Sequence, residues 1–245
     1  MPEISIKAEP IFNFFGFHVT NSLFTSIIVT IVFFLIAIYY NKQITASKKS
    51  GFFYFIHFII KSIYELFESV LGTNIKLFFP LMLSFFLFIL LQNWFGLLPG
   101  VGSIMIAIKE HEKILHVPVF RGGNADLNTT LALALISVTM IQFYGIKFLG
   151  FAQYIKKFID LSNPINFFVG ILEIVSEISK VLSFAFRLFG NIFAGEVLLT
   201  IVAFLIPVLA SFPFIILELF VGFVQALVFA MLTTVFLNGA IAKHH

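Results

Sequence analysis

The chain has 245 residues, of which 60% are hydrophobic and only 11% charged, and its net charge is +3. An ordinary soluble domain is about half apolar and about a quarter charged, so this balance excludes an ordinary soluble enzyme and gives no sign of a nucleic-acid partner. There is no Cys, which excludes disulfides, thiol chemistry and Cys-based metal sites.

Charge-free runs decide the class. Residues 10–41, 77–108, 127–146, 197–217 and 219–242 contain no Asp, Glu, Lys or Arg. Each is long enough to cross a hydrocarbon core, which takes about 20 residues of helix. The alternation expected of a membrane β-barrel is absent. The expected fold class is an all-α polytopic membrane protein in a lipid bilayer. It has about five transmembrane helices plus an interfacial amphipathic helix, all in a single membrane domain, 1–245.

The first span is expected at 20–40. The first ten residues are mildly acidic, so the span reads as retained rather than as a cleaved signal. The stretch 51–72, GFFYFIHFIIKSIYELFESVL and the glycine after it, reads differently. Phe52, Phe53, Ile56, Ile59, Ile60, Ile63, Leu66, Phe67, Val70 and Leu71 recur at helical spacing, with His57, Lys61, Glu65 and Glu68 on the other side. This is an amphipathic helix for the membrane interface or a partner. A second span is expected at 76–98, ended by Pro99 and Gly100, with Trp94 near its end as an interfacial anchor.

The stretch 99–125 holds IKEHEK and RGGNAD and is expected to be an external, solvent-facing loop. Asp126 then stands in N-cap position for a span at 127–146. From Pro164, a good first helical residue, the helical pattern continues without proline to 206. That is about twice the length one upright span needs, so 164–206 is expected to be one long tilted helix. It forms a hairpin with a final helix at 213–242. With the N-terminus outside, nine of the lysines fall inside, and only Lys7, Lys109, Lys113 and Arg121 fall outside. With 164–206 crossing once, this bias supports five spans and a cytoplasmic C-terminus. Splitting the long helix into two spans would barely change the count, and it is the absence of an internal proline that favours the single helix.

The long helix carries polar groups where hydrocarbon or packed side chains are expected. Lys180, Ser183, Arg187 and Asn191 share one face at about 100° per residue, with Glu173 close to that face and Glu196 roughly opposite. Gly190 and Ala194 beside Arg187 would let another helix approach closely. On the final helix Glu218 and Gln225 share a face, with Gly222 and Ala226 as a second small-residue patch. An Arg at the centre of a spanning helix costs about 2.5–3.5 kcal/mol on insertion scales. One reading is a structural ion pair of Arg187 with Glu173 or Glu218. The other places Arg187 on an ion path, where a guanidinium suits because it effectively never deprotonates.

Other chemistry is weak. The six His residues show no metal-ligand spacing; His111, His116, His244 and His245 read as surface residues. RGGN lacks the pattern of a phosphate-binding loop. No cofactor is expected.

Several stretches together resemble subunit a of the F-type ATP synthases, in the bacterial or plastid form. They are ADLNTTLALALISV at 125–138, PIN at 164–166, EIVSEISK at 173–180, SFAFRLFGNIFAGEVLL at 183–199 and QALVFAMLT at 225–233. The resemblance covers about residues 75–242. It implies the stator half of a rotary membrane motor, set against a ring of c subunits. Two offset aqueous half-channels pass protons to and from a ring carboxylate. The long hairpin packs along the ring, and Arg187 faces the ring carboxylate and blocks leakage between the half-channels.

Carried onto this chain, the resemblance places Arg187, Asn191, Glu196, Glu218 and Gln225 on the ion path. It places Asp126 and Asn128 near the outer mouth, and Glu173, Lys180 and Ser183 towards the cytoplasmic exit. Some relatives carry His where this chain has Glu196 or Glu218, and two neighbouring carboxylates would favour sharing one proton. The implied partners are the c ring, b-type peripheral-stalk subunits and the catalytic head. ATP chemistry then belongs to other subunits, and this chain holds no catalytic site. The implied location is the bacterial inner membrane, with a thylakoid as the alternative. A secondary ion transporter using the same charges is the competing function; it would be expected to show repeats and broken helices at its substrate site, and the sequence shows neither.

Overall fold

A computed structural model describes residues 7–14, 16–98, 100–110, 113–159, 163–205 and 211–242. Pro99, His111, the chain between the last two helices at 206–210 and Lys243, His244 and His245 lie outside the described residues. Seven α-helices are present among the described residues: α1 Asn21–Ile44, α2 Gly51–Leu71, α3 Ile75–Gly96, α4 Leu127–Leu149, α5 Phe151–Lys156, α6 Pro164–Leu205 and α7 Ser211–Ile241. Five helical segments are long and apolar enough to cross a membrane, α2 and α3 counting as one segment joined by a single 3-10 turn.

The helix ends follow from local chemistry. Thr20 and Ser50 accept the backbone N–H groups of Leu23 and Phe53, which caps α1 and α2. Asp126 accepts from the Asn128 N–H at 2.9 Å and caps α4. α7 begins at Ser211, so Pro213 falls in its first turn, where a missing N–H costs no intrahelical bond.

The core lies where α2, α3, α4, α6 and α7 meet. Phe67, Phe78, Met82, Phe86, Ile89, Leu188 and Phe229 have essentially no exposed surface. Phe184 and Phe85 both pack on Phe229 with tilted rings, their centroids 5.1 and 5.6 Å away. α2 buries Phe53, Ile63, Phe67 and Leu71 and leaves Lys61 and Glu65 exposed. α1 is peripheral and packs on α3, with Val29 as its one buried large apolar residue.

Two β-hairpins were not expected. The first pairs β1 (Pro10–Phe14) with β2 (Phe17–Thr20) just before α1. The second pairs β3 (Met105–Glu110) with β4 (Lys113–Pro118) in the stretch read as an open loop.

The end of that stretch also corrects the expectation of a solvent-facing loop. Arg121 is 6% exposed, Ala125 1% and Asn124 0%. Polar partners on three helices explain the burial. The Arg121 N–H donates to Thr25 Oγ1 on α1 at 3.2 Å, and Ser22 Oγ donates to Asp126 Oδ2 at 2.6 Å. Asn124 Nδ2 donates to Asn93 Oδ1 at 2.7 Å, and Asn93 Nδ2 donates to the Gly222 carbonyl of α7 at 2.9 Å. Gly123 permits the seating, because a Cβ there would lie 2.6 Å from Ser26 Oγ and still closer to the Gln92 amide. RGGNAD is therefore a plug set between α1, α3 and α6.

Candidate functional site

α6 is unusual in length and in exposure. Its 42 residues give a rod of about 63 Å at 1.5 Å per residue. Only Gly170, Phe184, Ala185, Leu188 and Gly195 are buried along it. The face this chain leaves uncovered includes Ile171, Val175, Ile178, Leu182 and Phe186, and it carries Arg187 near the middle of the rod.

Arg187 makes one side-chain hydrogen bond, from Nη2 to Ser183 Oγ at 3.2 Å, one turn earlier. Among the described residues no carboxylate lies within ion-pair distance of it. The structural pairings considered from sequence are not formed. Glu173 pairs instead with Lys157 at 2.7 Å, and Glu218 stands in no ion pair among the described residues. Gly190, expected to receive a close helix, faces open space in this chain. The Gly222 patch is used: a Cβ there would lie 3.1 Å from Asn93 Cβ on α3.

One turn beyond Arg187, Asn191 Nδ2 donates to Gln225 Oε1 on α7 at 2.6 Å. This joins the two helices on the exposed side of their seam. A further turn on, the carboxylate of Glu218 sits where a side chain at position 195 would project, so Gly195 is what lets α7 place that group against α6. Glu218 is 7% exposed.

Glu196 follows Gly195 and reaches the plug. Nε and Nη2 of Arg121 both donate to its Oε2, at 3.3 and 3.2 Å, and Nη1 donates to the Lys7 carbonyl at 3.2 Å. Glu196, Glu218 and Arg121 line one cavity of about 540 Å³, with Asn93 and Ile192 also in its wall. Asp126 and Asn128 do not line it: Asp126 is buried against Ser22 and capping α4, and Asn128 is held to its Oδ1 at 3.1 Å.

The residues towards the other end of α6 form an ionic ladder. Lys157 reaches Glu173 at 2.7 Å and Glu177 at 4.0 Å, and Lys180 reaches Glu177 at 2.7 Å. Lys180 also lies over the Phe236 ring of α7, 4.9 Å from its centroid. No group of three or more metal-ligating side chains occurs among the described residues.

Of the residues that sequence reasoning grouped on the α6–α7 hairpin, Asn191 and Gln225 meet across the seam, Glu218 lies against Gly195, Glu196 turns to Arg121 of the plug, and Arg187 stands on the uncovered face of α6. Sequence reasoning missed Arg121 and Gly195. Their only signals are the double glycine after Arg121 and the lone glycine before Glu196, both marking close approach of backbone to other groups.

Fold and seam define a polytopic helical membrane protein whose last two helices carry a line of charged and amide groups. The family model described as ATP synthase A chain matches residues 22–238, and the chain belongs to that family. It is 36% identical to the ATP synthase subunit a of Syntrophobacter fumaroxidans over 78% of this chain and 72% of that protein. It is 34% identical to that of Baumannia cicadellinicola over 91% of this chain and 84% of the relative. With the Legionella pneumophila (strain Corby) protein it shares 27% identity over 100% of this chain and 96% of the relative.

Proposed function

We propose that this chain is the stator subunit of an ATP synthase membrane motor. It passes protons between two offset half-channels and a carboxylate on a rotating c ring, and so couples proton flow to rotation and ATP synthesis. The observation that carries this reading is Arg187, a permanent charge at mid-helix on an uncovered apolar face, with no carboxylate beside it among the described residues. Such a charge is costly against lipid. A carboxylate supplied by a second subunit explains both the charge and the exposed face.

The roles follow from the chemistry. The cavity with Glu196 and Glu218 is the outer half-channel, where a proton arrives from water and binds a carboxylate oxygen. The proton then moves to the ring carboxylate and neutralises it. When that carboxylate passes Arg187 it gives up its proton to the opposite half-channel, because the guanidinium favours the ionised form. Asn191 and Gln225 hold the two helices together beside this point. Glu173, Lys180 and Ser183 belong to the cytoplasmic side of α6, with the ion ladder fixing the helix there. The remaining partners are a b-type peripheral stalk and the catalytic head. The chain sits in a bacterial inner membrane with its N-terminus outside and its C-terminus in the cytoplasm.

The test is Arg187→Ala in the assembled complex reconstituted into vesicles, with ATP-driven acidification and passive proton leak recorded together. Lost pumping with an intact complex is expected, with leak raised. Normal pumping with only poorer assembly would make Arg187 structural and overturn the reading.

A further inference from the structure

The outer cavity holds two carboxylates in unlike settings. Glu196 receives two N–H donors from Arg121, both on Oε2. Glu218 has no cationic partner among the described residues and is almost fully buried. Arg121 itself is 6% exposed and fixed on four sides. Its side chain bonds Glu196 and the Lys7 carbonyl, its backbone N–H bonds Thr25, and its guanidinium lies 5.9 Å from the centroid of the Phe193 ring. A buried guanidinium with this many fixed donors is preorganised for one anionic acceptor.

We propose that Arg121 is a positioning residue of the outer half-channel, holding Glu196 as a fixed, ionised carboxylate so that Glu218 carries the transferred proton there. The proposal rests on the half-channel reading above. In the transfer step an O–H bond of a hydronium ion in the cavity breaks and an O–H bond on a Glu218 oxygen forms. The same proton later leaves Glu218 towards the ring carboxylate. Glu196 neither gains nor loses a proton; its charge and that of Arg121 cancel in the cavity wall. The charged groups around Glu196 are Arg121 ahead of α4, Lys7 and Glu9 in the N-terminal segment, and Glu218 on α7. Arg121 bonds the Glu196 carboxylate directly.

The test uses the complete complex in vesicles at a clamped membrane potential, with rates normalised to assembled enzyme. The rate of ATP synthesis is followed against pH on the outer side. Arg121→Gln lets Glu196 take up a proton, so the acidic limb of the profile moves upward by about one pH unit or more. Arg121→Lys keeps the charge and leaves the midpoint in place. Arg121→Gln with Glu196→Gln removes both charges and restores the wild-type midpoint, whereas Glu218→Gln abolishes synthesis in either background. An unshifted Arg121→Gln profile overturns the proposal, and so does a double variant as inactive as Glu218→Gln. If Arg121→Gln alone does not assemble, the neutral double variant carries the test: synthesis with the wild-type midpoint supports the proposal, and a double variant as inactive as Glu218→Gln overturns it. Arg187→Ala in the same vesicles separates the failures. Normal pumping there overturns the motor reading and this proposal with it. Lost pumping there with an unshifted Arg121→Gln profile overturns only the role given to Arg121.

Discussion

Asn191 of α6 and Gln225 of α7 form a direct amide–amide hydrogen bond of 2.6 Å one turn beyond Arg187. Gln225 is buried, and Asn191 lies on the exposed side of α6. The bond therefore ties the uncovered face that carries Arg187 to the packed interior. A net hydrogen bond contributes about 0.5–1.5 kcal/mol. Gln225→Ala and Asn191→Ala are each expected to slow ATP-driven pumping several-fold by letting the Arg187 turn move against α7. Adding the second substitution to the first is expected to cost little more, because the shared bond is already lost. A double-mutant cycle on pumping rate and on thermal stability checks this. Fully additive losses would show that the two amides act separately.

The helices were legible because each spanning segment is a charge-free apolar run, and membrane burial enforces helix on any such run. The Arg187 face was legible because 3.6-residue periodicity alone aligns Ser183, Arg187 and Asn191. The plug was not. Arg121 to Asp126 is a polar, glycine-containing stretch, and such composition reads as a surface loop. It is buried because Asn93, Thr25, Ser22 and Glu196, far away in sequence, supply its hydrogen bonds. Periodicity carries no information on such pairings. The β3–β4 hairpin was hidden for a similar reason. The run IKEHEK carries no Gly or Asn-Gly signal, so it read as a solvent-facing loop.

Tyr154, on α5, gives a pH-dependent check on the fold. Its hydroxyl donates to Gln142 Oε1, its ring packs against Gly145, and it is 3% exposed. Burial pushes the phenol up to about 12, with the negative charges of Glu177 and Glu173 adding to the effect. The folded value is above the unfolded one, so the stability this contributes is fully present below about pH 10. It is lost as pH rises from there towards the folded value. Thermal stability of the complex is expected to fall across that window, and Tyr154→Phe is expected to flatten the fall. An unchanged alkaline limb in Tyr154→Phe would place its cause elsewhere.

Gly195 makes the sharpest steric prediction. The Glu218 carboxylate occupies the space that a Cβ at position 195 would take, so an added methyl group must push the end of that side chain aside. Gly195→Ala is therefore expected to displace Glu218 and to reduce proton-driven ATP synthesis at least tenfold, since a misplacement of about 1 Å can cost two orders of magnitude in a positioned reaction. The helix itself gains from the change, as Ala is a better helix former than Gly by about 1 kcal/mol, so assembly and amount of complex are expected to hold. Shortening the partner by one methylene in Gly195→Ala/Glu218→Asp withdraws the carboxylate from the new methyl group and is expected to recover part of the rate. Glu218→Asp alone, with the glycine space left empty, is expected to be impaired. If Gly195→Ala works at the wild-type rate, the contact between this glycine and Glu218 has no part in placing the proton-carrying group. If the double variant is worse than either single change, the loss comes from something other than the clash.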